Sequence, residues 1–173
     1  MAVSTSVHTR VEARIWARST TWVANELVRV FEDIVQLRGL PSDYMHHHNE
    51  TLINGFRTWM THRELRGAVL EVFDPGSGQL VERYDLTLSY EQRGQDGGER
   101  FETHIDKLRS ELMHKQQLHP GYKYRVVADL KPGARSVPGW QPTTLRDAGH
   151  LKCYDVGSVI DTSRIGVAMT YWM

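Results

Sequence analysis

The sequence holds a single cysteine, Cys153, in 173 residues. An intramolecular disulfide is therefore impossible, and cysteine usage lends no support to an oxidising compartment. Charge of one sign is missing too: Lys plus Arg and Asp plus Glu each number 21. That balance removes the electrostatic argument for nucleic acid or an anionic membrane as a direct partner. No apolar run approaches the ~18 residues that would suggest a membrane span. The opening Met1-Ala-Val-Ser-Thr-Ser6 lacks a basic region followed by an apolar stretch, so it does not read as a signal peptide. Internal repeats and low-complexity tracts are absent as well. We expect one soluble, cytoplasmic domain, long enough to bury a core.

Catalytic signatures are equally scarce. Neither HExxH nor CxxC occurs. The run His46-His47-His48 invites a metal reading, but sequence neighbours cannot all point at one ion on a helix or a strand. Zinc sites use spaced ligands, so we read the run as part of a solvated polar loop, Asp43–Asn49. His62, His104, His114 and His119 are scattered and read as surface positions. Cys153 has His150 three residues away and Lys152 beside it, yet nothing marks a helix N-terminus that would activate the thiol. Glu26, Glu32, Asp33, Glu99, Glu102 and Asp106 read as helix-surface charges rather than an acid–base pair. Gly94 and Gly97-Gly98 hint at an anion site, but the phosphate-loop spacing is missing. The expectation is no catalytic residue, no metal and no cofactor. A small His- or Cys-dependent hydrolase is the alternative from the enzyme class.

What is present is hydrophobic periodicity. Val11, Ala13 and Ile15 alternate with Glu12 and Arg14, which predicts a short N-terminal strand. Ser19, Thr20 and Thr21 offer N-cap hydroxyls for a helix carrying Val23, Leu27, Val30, Ile34 and Leu37 on one face. Gly39 and Pro41 stop it. A second helix is predicted over about 50–63, with Ile53, Phe56 and Met60 inward. Residues 68–73 and 80–90 form a hairpin around Asp74-Pro-Gly-Ser-Gly78. A third helix is predicted over 98–117, with Phe101, Ile105, Leu108 and Leu112 inward. Residues 122–130 form a strand. The order describes an α+β domain, a mostly antiparallel sheet backed by three helices.

The remainder, residues 131–173, shows no helical period. A tail of that length is more often functional than a mere connection. Lys131-Pro-Gly-Ala-Arg-Ser-Val-Pro-Gly-Trp140 carries two Pro-Gly pairs and an aromatic that must bury its ring. Residues 164–172 read as a last strand. Two readings stay open. The tail is a static meander that completes the sheet of a protein-interaction domain. Alternatively, it is a strap that traps an extended partner segment against an edge strand at 122–130, through main-chain pairing.

Several stretches resemble a known family. They are Thr20-Thr-Trp-Val-Ala-Asn25, Arg57-Thr-Trp59, Ala68-Val-Leu-Glu-Val-Phe-Asp-Pro75, Leu130-Lys-Pro-Gly133, Val137-Pro-Gly-Trp140 and Leu145-Arg-Asp-Ala-Gly149. Together, over about residues 19–172, they resemble bacterial HORMA-domain proteins of cyclic-oligonucleotide-based anti-phage signalling (CBASS) operons. The resemblance implies a HORMA-like fold, with residues 1–130 as core and 131–173 as a C-terminal safety belt. It implies a conformational switch that closes on a short peptide of a partner protein. When closed, it would bind and activate a CD-NTase-type nucleotidyltransferase that makes a cyclic oligonucleotide. An AAA+ remodelling ATPase would reopen it, with residues 7–18 as its handle. A second HORMA protein is a further implied partner. The belt is full length, which fits a peptide-capturing copy. On this reading the peptide meets Tyr124, Val126 and Ala128 on the edge strand and Trp140 in the belt.

Overall fold

In the computed structural model, which describes residues 3–90 and 99–173, the chain opens with one long helix, α1 (Val3–Leu37). The strand expected at Val11–Ile15 is part of this helix. Val11 and Ile15 are four residues apart and so share a helical face, and the Ala, Arg and Glu residues around them favour helix. Trp16 docks this stretch: its indole N–H donates to the Thr61 carbonyl at 3.2 Å, and the Arg63 guanidinium lies 4.4 Å above its ring. Ser19 and Thr20 are mid-helix and buried rather than caps, and the Thr20 hydroxyl bonds back to the Ala17 carbonyl. Gly39, with φ +72°, ends the helix as expected.

The second helix, α2 (Asp43–Thr61), starts earlier than its periodicity suggested. The expected loop at Asp43–Asn49 forms its first turns because Met45 plugs the core there, fully buried. His46 and His47 stay exposed on its surface. Strands β1 (Leu65–Phe73) and β2 (Leu80–Tyr90) pair as the predicted hairpin, Leu70 opposite Tyr84. In the turn, the Asp74 carboxylate accepts from the Gly76 N–H at 2.9 Å.

The helix expected over 98–117 is a correction. Residues 101–103 form a short strand, β3, and only Asp106–Met113 form a helix, α3. Phe101 packs on Trp22 of α1 at 5.3 Å, while its neighbours pair with the sheet. An unpaired sheet edge wins those three residues over helix propensity. Gly94 and Gly97-Gly98, weighed above as an anion site, lie outside the described residues. Strand β4 (Lys123–Leu130) follows. The tail then supplies two strands, not one: β5 (Cys153–Thr162) and β6 (Ile165–Trp172).

The six strands form one antiparallel sheet in the order β3-β5-β6-β2-β1-β4. Between the bulges at Leu65/Gly67 and Val72/Phe73, even-numbered residues of β1 and the even-numbered residues paired with them on β2 and β4 face the helices; odd-numbered ones face away. Leu27, Phe31 and Ile34 of α1 and Phe56 and Met60 of α2 pack over Leu70, Val72, Tyr84 and Leu86, all fully buried or nearly so. A buried ion pair joins the end of α1 to the sheet: Arg38 to Glu82 at 2.7 Å, with the Tyr84 hydroxyl donating to Glu82 at 2.6 Å. The second half of the tail is integral to this core. Ile165, Val167, Met169 and Tyr171 are buried, and at about 1.5–3 kcal/mol each their loss would remove most of a typical folding free energy. Deleting residues 131–173 should therefore unfold the domain rather than only release a strap.

Four tyrosine hydroxyls end inside this packing. Burial raises Tyr84 and Tyr90 well above the ordinary tyrosine value, pushes Tyr124 up to about 12 and raises Tyr171 as well. The folded state thus holds protons that the unfolded chain releases near pH ~10. Stability should be level below that value and fall as pH rises through it. Urea midpoints measured from about pH 8 to about pH 12 should be flat at first and then decline steadily; a flat profile throughout would contradict the buried tyrosines.

Candidate functional site

Among the described residues strand β4 ends the sheet, so one of its edges has β1 beside it and the other has no strand. The Lys131 N–H, just past β4, bonds the Glu64 carbonyl on the β1 side at 2.9 Å. The Val126 N–H points the opposite way, to the Tyr44 hydroxyl at 3.3 Å. Strand alternation then turns the N–H and C=O groups of Tyr124, Val126 and Ala128 toward the open edge. Their side chains meanwhile face the helices. Tyr124 is buried and donates its hydroxyl to the Pro41 carbonyl.

Residues 131–152, here called the strap, leave the end of β4 on the helix side. Arg135 anchors the start, pairing with Glu64 at 3.0 Å while its carbonyl accepts from the Trp59 indole at 2.7 Å. The Arg135 hydrogen bond holds the Glu64 carboxyl below the ordinary carboxylate range, so this anchor is present at neutral pH and lost in acid. Trp140 comes next. Its ring lies 5.0 Å from Trp59 and 5.6 Å from Phe56, and its N–H donates to the Thr51 carbonyl at 3.1 Å. Two glycines permit the fit. Gly139 has φ +86°, and a Cβ on Gly55 would come 2.3 Å from the Trp140 indole nitrogen.

The strap then crosses to the other face of the sheet. Arg125, an odd-numbered β4 residue, donates to the Thr143 hydroxyl at 2.8 Å and the Thr144 carbonyl at 2.6 Å. Glu71 of β1 is fully buried on that face and receives three bonds. Arg125 gives one at 2.7 Å, the Arg146 main-chain N–H one at 2.6 Å, and the Arg146 guanidinium one at 3.1 Å. The Arg146 guanidinium also covers Phe73 at 3.7 Å. Beyond it the His150 ring bonds the Leu80 carbonyl at 2.9 Å, and the chain enters β5 on the far side of the sheet.

Because the strap starts on the helix face and ends on the opposite face, it passes around the open edge of β4. Between edge and strap lies a cavity of about 710 Å3. Tyr44, His48, Thr51 and Leu52 of α2 form one wall, Val126, Val127 and Ala128 the floor, and Ala134, Val137, Trp140 and Thr143 the roof. The wall and roof bring apolar and aromatic surface to a strand edge with free hydrogen-bonding groups. Such a slot suits an extended chain.

Of the four residues singled out in the sequence, Val126, Ala128 and Trp140 line this cavity. Tyr124 lies outside the lining, under the corner between α1 and α2, where its hydroxyl closes the Pro41 carbonyl. Sequence reasoning missed the α2 wall. Tyr44, His48 and Thr51 share a helical face at steps of four and three, a signal visible only if the helix begins at Asp43. It also passed over Glu71, a charge inside an otherwise apolar strand, which is itself a signal of a buried pair. The Cys153 side chain is exposed at the start of β5, and the His150 ring is engaged with Leu80. Among the described residues, no cluster of three His, Cys, Asp or Glu side chains is placed to hold a metal, and no helix is long and apolar enough to cross a membrane.

A glycine-to-alanine change inside a helix ordinarily stabilises it by roughly 0.5–1 kcal/mol. Gly55→Ala should do the reverse here, because the added methyl meets the Trp140 ring. Hydrogen exchange across residues 134–146 should quicken markedly while that of β1 and β2 stays slow. Unchanged strap protection would show that Trp140 does not seat against α2.

The fold recurs in solved structures. A chain of a mitotic checkpoint complex superimposes with a TM-score of 0.73 at 12% identity, covering 89% of this chain and 97% of that one. C. elegans HTP-2 bound to a HIM-3 closure motif gives 0.61 at 11% identity, covering 83% and 84%. The same protein bound to HTP-3 closure motif 1 gives 0.65 at 13% identity, covering 87% and 85%. At such identities the likeness establishes the fold. No curated protein matches the chain. The sequence model of bacterial HORMA domain 2 matches residues 8–173, nearly the whole chain, and the chain belongs to that family.

Proposed function

We propose that this protein is a peptide-capturing switch that works by binding and not by catalysis. In the conformation described here, residues 131–152 act as a closed safety belt. The ligand is an extended segment of a partner protein, added as a strand along β4 beneath the belt. One observation carries this reading: the strap encircles a strand edge that turns its main-chain groups into a cavity. Six residues, Arg125–Leu130, line that cavity along β4. At about 3.3 Å per residue they would span roughly 20 Å, so the bound segment is about six residues long. Structural relatives solved with closure motifs support the reading.

The family supports a further step. Closed on its peptide, the protein would bind and activate a CD-NTase-type nucleotidyltransferase of a CBASS operon in bacterial anti-phage defence. An AAA+ ATPase would reopen it, engaging residues 7–18 of α1. A second HORMA protein could supply the peptide. None of these partners needs a cofactor in this chain.

Selection from a displayed library of random peptides tests the first step. Binders should compete with one another and lose at least tenfold in affinity against Ala128→Phe, which puts a ring into the cavity. The unfolding temperature of that variant should stay within a few degrees of the parent. Equal affinity for the variant would rule out the channel. The second step is tested by adding protein and selected peptide to a CD-NTase-type nucleotidyltransferase, with labelled nucleotide. Product should form with the loaded protein and not with the empty one; equal product from both would contradict activation by closure.

A further inference from the structure

The open edge of β4 is not bare at its centre. The Val126 N–H is the outward amide in the middle of the strand, and the Tyr44 hydroxyl accepts its hydrogen bond. Tyr44 lies in the first turn of α2, half-buried. Its ring meets Tyr124 edge-on at 5.2 Å and the His48 ring at 4.5 Å. Tyr44, His48 and Val126 line the cavity, and Tyr124 lies outside the lining.

A strand added to β4 must place a carbonyl oxygen near every outward N–H it pairs with. The oxygen that meets Val126 would occupy the place that the Tyr44 hydroxyl now holds. Both oxygens cannot be there. We infer that Tyr44 is a placeholder for the ligand: its hydroxyl stands where one peptide carbonyl will sit, and peptide entry displaces it. The inference rests on the peptide reading given above and adds to it the residue that competes with the ligand.

The local structure allows the exchange. Met45, next in the chain, is fully buried and fixes the helix backbone, so Tyr44 can leave by rotating its side chain alone. Ser42, at the head of α2, makes no side-chain cap, and its carbonyl accepts the His46 N–H at 3.0 Å, so the helix backbone keeps its place when Tyr44 turns away. The placeholder also has a use while the cavity is empty. A strand edge with unpaired amides is a template for unwanted pairing, and a hydroxyl on its central amide blunts it. The exchange is nearly balanced, one neutral hydrogen bond for another. Tyr44 therefore tunes affinity and leaves closure to the strap.

Tyr44→Phe isolates the hydroxyl, since the ring packing on Tyr124 and His48 is kept. In the free protein, the Val126 amide should exchange with solvent severalfold faster, while amides facing β1 are unaffected. A library-selected peptide should bind between about twofold and tenfold more tightly, the range set by removing one competing neutral hydrogen bond. Tyr44→Leu, which also removes the ring packing, serves as a second variant and should show the same faster Val126 exchange. Faster Val126 exchange with unchanged or weaker peptide binding overturns the placeholder while the peptide reading stands. Unchanged Val126 exchange in both variants overturns the contact itself. If the parent protein binds no peptide at all, the peptide reading fails and the placeholder falls with it.

Discussion

A strand edge that cannot pair within its own sheet governs this molecule. β4 has β1 on one side, and its other row of N–H and C=O groups must find partners elsewhere. Burying such a row without partners would cost about 1–3 kcal/mol per group. The chain neither buries the row nor leaves it open. It runs residues 131–152 around the edge at a distance, so that a slot remains, and it puts Tyr44 on the central amide. α2 on one side and the strap on the other enclose that slot.

The strap is held at two ends by different chemistry. On the helix side Trp140 fills a notch made by Gly55, Phe56 and Trp59, with Arg135 and Glu64 behind it. On the other face the buried Glu71 carboxylate holds Arg125 and Arg146 together, so edge strand and strap share one acceptor. Lifting the strap would leave Glu71 with Arg125 alone. Hydrogen bonds to a charged group contribute about 1.5–3 kcal/mol each, so this end sets a real barrier to opening but not a prohibitive one. A few kcal/mol between two packings is the scale on which a ligand or a remodelling enzyme can shift a population.

Much of this was legible in the sequence where local pattern and tertiary need agreed. The inward face of α1 from Val23 to Ile34, the hairpin at Asp74–Gly78 and the strand at β4 were readable because periodicity and turn chemistry alone specify them. The strap was readable from its Pro-Gly pairs and the absence of a helical period. Other elements depended on distant contacts. Val11–Ile15 alternates like a strand but is helical because Trp16 docks on Thr61. β3 exists because β5 offers it an edge. β5 itself was hidden: Asp155, Gly157, Ser158 and Asp161 are poor strand formers, and two irregularities in its pairing with β6 break the alternation. The site was half visible for the same reason. Its floor and its tryptophan announce themselves, whereas Tyr44 and Glu71 matter through residues far along the chain, Val126 at 82 positions and Arg146 at 75.

The most direct measurement is a crystal structure of the protein with a library-selected peptide. The slot between β4 and the strap should hold the peptide as an additional strand, hydrogen-bonded to Val126 and Ala128. Trp140 should remain on α2, and Arg146 should remain on Glu71. A peptide seated on any other surface, or a slot collapsed with the strap packed directly onto the β4 edge, would contradict capture by strand addition.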